Sequence, residues 1–322
     1  MKRAFLLSLL VLSTSALRAA PLQHASAFQL HNGFWVNLND ALYNEAHGSD
    51  SSGEPKIVPL EPRLTGAEQV VWHEAVDAYR RTIGKMEFVR DDELNQVLDE
   101  LAKVDAGAPL ASAKLRPLVI AALRDAAPIY RKREWPATRR LNDAIIAAAR
   151  KRMPAYEAKL FHRLDALYRE PLHRPARIDV VKYAMWAGAY TRIEDDGTPA
   201  TIFASSNEAQ RGMHQVEIFF HEASHSVIFP RGGVVMNAIN GQCKTSRDFW
   251  HVLLFYTVGT ATTELAGSNY MPTADGYGLY KIPGWDRAHD VLEREWQPYI
   301  AGKRSFEDAV AGICRSYGGS KP

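Results

Sequence analysis

Two histidines, His221 and His225, bracket Glu222 in the stretch FFHEASHSVI. On an α-helix a four-residue step turns through about 400°, so the two side chains project about 40° apart and one turn apart in height. Both imidazoles then lean to one side and can reach a common ion at about 2.0–2.1 Å. Glu222 stands about 100° round from His221, too far to serve as a third ligand from the same helix. Its carboxylate falls instead beside an open coordination position, where it can take a proton from water. Two imidazoles, one further ligand and such a base are what hydrolysis at a zinc ion requires. Glu222 is thus the predicted catalytic base and Zn2+ the predicted cofactor. Accident is a weak rival: a chain with 11 histidines in 322 residues carries a chance HExxH string in roughly one case in fifty.

The third ligand must come from another segment, and the next helical stretch offers His251 and Glu264. Thirteen residues separate them, which leaves about 140° between their projections, so a straight helix cannot aim both at one ion. His251 shares its face with Leu254, Phe255 and Val258 and points inward. Glu264 lies with Thr257, Thr260 and Ala261, on a stripe that is either solvated or lines a cleft. The inward position favours the set His221, His225 and His251, with Glu264 as the alternative. A core histidine bonded to a carbonyl and a solvated surface acid are the ordinary readings of the two. His214, seven residues before His221, shares its face two turns away, where a cleft role suits it better than ligation. His31, Asn32 and Asn37 are candidate cleft residues that simple packing explains equally well. A developing oxyanion also needs a donor. Tyr256, Tyr270, Tyr277 and Tyr280 are available, and Tyr280, in GYGLY, is the first choice.

The elements that must position these groups follow from patterning. Lys2 and Arg3 precede an apolar run from Ala4 to Leu12 and then small residues, the pattern of a secretory signal peptide over 1–27. Cleavage is expected after TSA (Thr14–Ala16) or ASA (Ala25–Ala27), and the run is too short to span a bilayer. The expected product is exported, periplasmic or secreted, with no stable membrane span. In an oxidising compartment Cys243 and Cys314 are free to pair or to remain separate thiols. Residues 28–175 read as a helical region. Phe34, Leu38 and Leu42 fall at helical spacing with Trp35 beside them. Val70, Val71, Ala75 and Tyr79 form a second apolar face, and Leu94, Leu98 and Leu101 a third. Pro154 is expected in the first turn of the segment that follows.

Residues 176–322 change texture. RPARIDVVKYAMWAGAYTRI suggests two strands and PATIFASSN a third, before the long helix that carries HExxH and stops near Pro230. Gly232 to Lys244 reads as a loop. Thr245 or Ser246 can cap the next helix and Gly267 can end it. Two closing helices are expected near 285–299 and 305–317. The predicted class is α+β, mainly helical, with an active-site helix under a small sheet and an N-terminal helical layer. Thirty-nine basic against 37 acidic residues give a net charge of +2, with no basic stripe, which argues against nucleic acid as a partner.

In this order of strand, turn and HExxH helix, residues 176 to 280 resemble the zincin metallopeptidases. The resemblance implies His221 and His225 as ligands and Glu222 as base. It also implies an edge strand along the cleft that holds an extended peptide by main-chain bonds, a place that ATIFASS would occupy. Gluzincins add a glutamate from a later helix, which here is Glu264; a His251 ligand departs from that pattern. The metzincin extension after His225 is missing. HNGFWVNL, HEASH, WHVLLFYT and GLYKIPGW together resemble a group of exported bacterial proteins of the metallopeptidase kind, which brings no substrate with it. A peptide or protein substrate is expected. The rivals are a zinc hydrolase acting on a non-peptide amide, and an exported binding or structural protein in which a metal merely pins two helices.

Overall fold

The computed structural model describes residues 26–317, apart from 49–59, 61–62, 88–90, 185–187, 195 and 231. The apolar run of the expected signal peptide lies outside the described residues. Ser26 and Ala27 are within them, and both bond to the Glu157 carboxylate.

The chain enters on strand β1 (Phe28–His31), which sequence patterning missed because four residues are too few to show a period. Helix α1 (Phe34–His47) follows and buries Phe34, Leu38 and Leu42 as their spacing predicts. Its first turn is capped from a distance. The Asp105 carboxylate accepts from the backbone N–H of Trp35 at 2.9 Å and of Val36 at 3.1 Å. Gly33 leaves room for this, since a Cβ there would lie 2.1 Å from Asp105 Oδ2.

Helices α2 (Gly66–Thr82), α3 (Asp92–Asp105) and α4 (Pro117–Arg133) complete the helical layer with α1. In α3 the leucines at 94, 98 and 101 are fully buried. In α2 the inward stripe is Trp72, Ala75, Val76 and Tyr79, while Val70, expected inside, is 59% exposed. The indole of Trp72 fixes the rotation of α2, because burying so large a ring outweighs burying one valine. Helices α5 (Trp135–Arg152) and α6 (Glu157–Tyr168) come next, with Pro154 in a short 3-10 turn between them rather than inside α6.

Strands β2 (Ala176–Val181), β3 (Ala189–Ile193) and β4 (Pro199–Ala204) join β1 in a sheet of order β1-β2-β4-β3. β1, β2 and β4 run parallel, and β3 pairs antiparallel with β4. The expectation that ATIFASS is the edge strand is corrected: β4 is interior and every one of its residues is buried, whereas β3 holds the edge. A strand covered on both faces reads as a continuous apolar run, and ATIFA is such a run.

The sheet separates two cores. Val181, Tyr190, Ile202 and Ala204 face the layer of α1–α4. Ile178, Val180, Ala189 and Phe203 face the other side, where α5, α6 and all later helices pack. The alternation of Ile202, Phe203 and Ala204 shows the period of two directly. The class is α+β and mainly helical, as expected. The cores do not divide at residue 175, because α5, α6 and β1 contribute to the second one.

On that second side lie α7 (Met213–Ser224), α8 (Val234–Gln242), α9 (Phe249–Ala266), α10 (Thr273–Gly276) and α11 (Trp285–Val291). α11 continues through a π-turn (Leu292–Trp296) into α12 (Gln297–Ile300), and α13 (Phe306–Ser316) ends the described chain. The loop expected over 232–244 is helix α8, which turns Val235, Met236 and Ile239 inward. Asp248, not Thr245 or Ser246, holds the N-cap position of α9, and Gly267 ends that helix as expected. No described helix is long and apolar enough to cross a membrane.

Cys243, at the end of α8, is disulfide-bonded to Cys314 on α13, with 5.4 Å between their Cα atoms. Closing a loop of 71 residues constrains the unfolded chain by about 4 kcal/mol on the chain-entropy account. Replacing both cysteines by alanine is expected to lower Tm by roughly 10 °C. Thermal unfolding of the variant beside the oxidised parent checks this, and an unchanged Tm would contradict it.

Candidate metal centre

α7 packs along the sheet and carries His221 in its last turn. At the helix end the Ser224 hydroxyl donates back to the Phe220 carbonyl at 2.7 Å, and the Ile228 N–H reaches the Ser224 carbonyl at 2.8 Å. HExxH was expected in mid-helix, and the structure corrects this. His225 sits at the C-cap with φ −61° and ψ −17°, still in the right-handed region. The four-residue geometry therefore survives the helix end. The chain then folds back into α8 at Gly233, where φ is +74° and a Cβ would lie 1.7 Å from the Val227 carbonyl oxygen. Only glycine serves there.

His251 stands in the first turn of α9, and Phe255 one turn on packs its ring 3.9 Å from the centre of His221. These contacts bring the three imidazoles together. Nε2 of His221 and Nε2 of His251 are 3.2 Å apart, and one ligand nitrogen from each of His221, His225 and His251 lies within 4.8 Å of the others. Aromatic walls complete the hollow: Trp250 stacks on His251 at 4.8 Å, and Trp285 meets it edge-on at 5.6 Å. His221 is buried, while His225 and His251 keep some exposure, so the cluster opens on one side.

Burial holds all three rings neutral. It drives His221 well below the ordinary histidine range, helped by repulsion from His225 and His251. It lowers His225 to about 4, and with repulsion from His225 it lowers His251 to about 3. A neutral imidazole is the form that ligates metals. Two buried atoms here have no partner, His221 Nδ1 and Glu222 Oε2. Leaving such groups unpaired costs about 1–3 kcal/mol each; Glu222 Oε2 lies beside the cluster, whereas His221 Nδ1 is on the side of the ring away from the Nε2 that meets His251. Three nitrogen donors with a fourth position open suit zinc or a neighbouring transition metal.

Glu222 is buried beside the cluster, with Oε2 3.8 Å from His225 Nε2. Burial raises its carboxyl to about 7, opposed by a hydrogen bond from the Thr191 hydroxyl on β3. Thr191 was not foreseen, because this bond joins an edge strand to a helix and leaves no spacing in the sequence. Trp250, Phe255 and Trp285 were also missed as walls, although Phe255 lies at i+4 from His251, a recognisable signal.

Glu264 lies elsewhere. Its carboxylate grips the Arg163 guanidinium on α6 at 2.8 and 2.9 Å at a half-exposed surface. Of the two, the structure brings His251 to the cluster and turns Glu264 to Arg163. Tyr280 stacks on His289 at 4.1 Å rather than on a ring of the cluster, and burial raises its phenol. Tyr256 donates to Gln297, and Tyr277 is exposed beside Asn207. His31 is on β1, the sheet edge opposite β3. Asn32 and Asn37 bond to Asp143 and to the Val180 carbonyl and serve packing.

Comparisons of the chain with protein-family models, with curated proteins and with solved structures find no match. His251→Ala is expected to weaken zinc binding by more than about 100-fold, since it removes a ligand and not merely a ligand's support. Glu264→Ala is expected to leave it within about 3-fold, as for a surface ion pair. Titration of the metal-free proteins against a chromophoric chelator reads both, and equal effects would refute the assignment.

Proposed function

We propose that this chain is an exported zinc-dependent hydrolase that cleaves peptide bonds. The observation that carries the reading is the convergence of His221, His225 and His251 from two helices, with the unpartnered Oε2 of Glu222 beside them. Zinc held by the three imidazoles would polarise a substrate carbonyl and lower the pKa of a water toward about 7. Glu222 takes the proton at Oε2 and delivers it to the departing amine. The Thr191 hydroxyl on β3 favours the charged form of this carboxyl, and Oε2 is the oxygen without a partner. Tyr280, packed on His289, has no contact that supports an oxyanion role.

A peptide substrate is favoured by the sheet edge. β3 is antiparallel to β4, and no described strand pairs with its outer side. An exposed edge binds an extended chain through alternate main-chain groups. Thr191 sits on this strand and also bonds to Glu222, so a peptide added along β3 would pass the base. Export is supported by the basic and apolar leader, and by the disulfide, which persists in oxidising compartments.

Glu222→Gln is expected to bind zinc as the parent does and to lose peptide turnover by about 10²- to 10⁴-fold. Cleavage of a mixed peptide library, with zinc content measured on the same samples, checks this. A fully active Gln variant would refute the mechanism. A zinc-loaded parent that cleaves cell-wall fragments but no peptides would favour the other amide substrates, and one that cleaves neither would favour a metal that only pins α7 to α9.

A further inference from the structure

One turn before His221, on the same helix, lies a second buried carboxylate that the chemistry above does not use. Glu217 is 1% exposed. Its two oxygens accept from the backbone N–H of Thr273 at 3.1 and 3.0 Å, and Oε2 also accepts from the Tyr270 hydroxyl. His214, one turn further back, touches the Tyr270 hydroxyl at 3.1 Å and the Thr273 hydroxyl at 3.2 Å. From α9, Gly259 gives the carboxylate room: a Cβ there would lie 3.5 Å from Glu217 Oε1 and 3.0 Å from Pro272. The fastened residues belong to one strap, 267–284, which leaves α9 at Gly267 and delivers Trp285 to the start of α11. Trp285 then covers both His251 and Phe255, with ring centres at 5.6 and 6.0 Å.

We propose that Glu217 is a positioning residue, a latch that fastens the strap to α7 and so holds Trp285 against His251 in the orientation that metal binding needs. This rests on the metal-site reading above. The latch acts through the strap, since Glu217 bonds Tyr270 and Thr273 and none of the three imidazoles. Four titratable groups surround it: His214 on α7, Tyr270 and Tyr280 on the strap, and Asp275 on α10. Burial raises the Glu217 carboxyl to about 7, against the hydrogen bonds from Tyr270 and Thr273, with Asp275 adding to the rise. Opening the strap would return it toward its ordinary value of 4.5. The latch is therefore fully closed below that value, and it weakens as pH rises to about 7.

The test is zinc affinity, measured by chelator competition on metal-free protein. Glu217→Leu, which has no acceptor for Thr273 or Tyr270, is expected to bind zinc about 10- to 100-fold more weakly, as when support to a ligand is lost. Glu217→Gln, whose amide oxygen still accepts, is expected to stay within about 3-fold of the parent. Unchanged affinity in a folded Glu217→Leu protein overturns the latch while leaving the metal site intact. A parent that binds no zinc overturns both. Should Glu217→Leu fail to fold, hydrogen exchange of the strap decides. Protection of amides 270–276 in the metal-free parent is expected to fall up to about 100-fold between pH 5 and pH 7.5, after correction for intrinsic rates, and to stay level in Glu217→Gln. Equal pH dependence in the two proteins overturns the proposal.

Discussion

Three imidazoles packed into a ring-lined hollow cannot all carry charge, and the backbone hydrogen bond at Ile228 that favours charge on His225 is outweighed by burial. Burial, with repulsion added at His221 and His251, keeps the three rings neutral, and one ligand nitrogen from each lies within 4.8 Å of the others. Neutral imidazoles gathered in this way could hold a metal ion. The contact of α7 with α9, the Phe255 ring over His221 and the indoles of Trp250 and Trp285 all serve to keep this geometry.

The helical layer of α1–α4 covers one face of the sheet. With the later helices on the other face, β4 is buried on both sides, and the strand order places the antiparallel β3 at the edge. Among the described residues no strand pairs with the outer side of β3, while the opposite edge, β1, is tied down through Ala27 and Glu157. An edge strand left open is ordinarily an aggregation hazard. Here it runs beside the candidate base, Glu222.

Some of the site was legible and some was not, for identifiable reasons. The pairing of His221 with His225 depends on four consecutive residue steps, and it persisted even though the helix ends at Ser224, because a cap residue keeps right-handed dihedrals. The choice of His251 over Glu264 was half legible: helical rotation separated them, but only the ion pair with Arg163 shows where Glu264 points. The place of Tyr280 was not legible because loop residues carry no period; its ring stacks on His289. The strand at 199–204 was found, but its place within the sheet was not, since strand order depends on what packs against each face.

The amino-acid sequence alone determined the local facts: the helices, most of the strands, and a carboxylate flanked by two histidines at ligand spacing. These rest on the 3.6-residue turn and the two-residue pleat, which act over one or two turns of chain. Tertiary structure decided that β3 is the open edge, that Cys243 meets Cys314, that Thr191 steadies Glu222, and that His251 completes the cluster. Each of these is a distance between segments tens of residues apart. Such distances follow from which apolar faces bury one another, and no spacing along the chain encodes that.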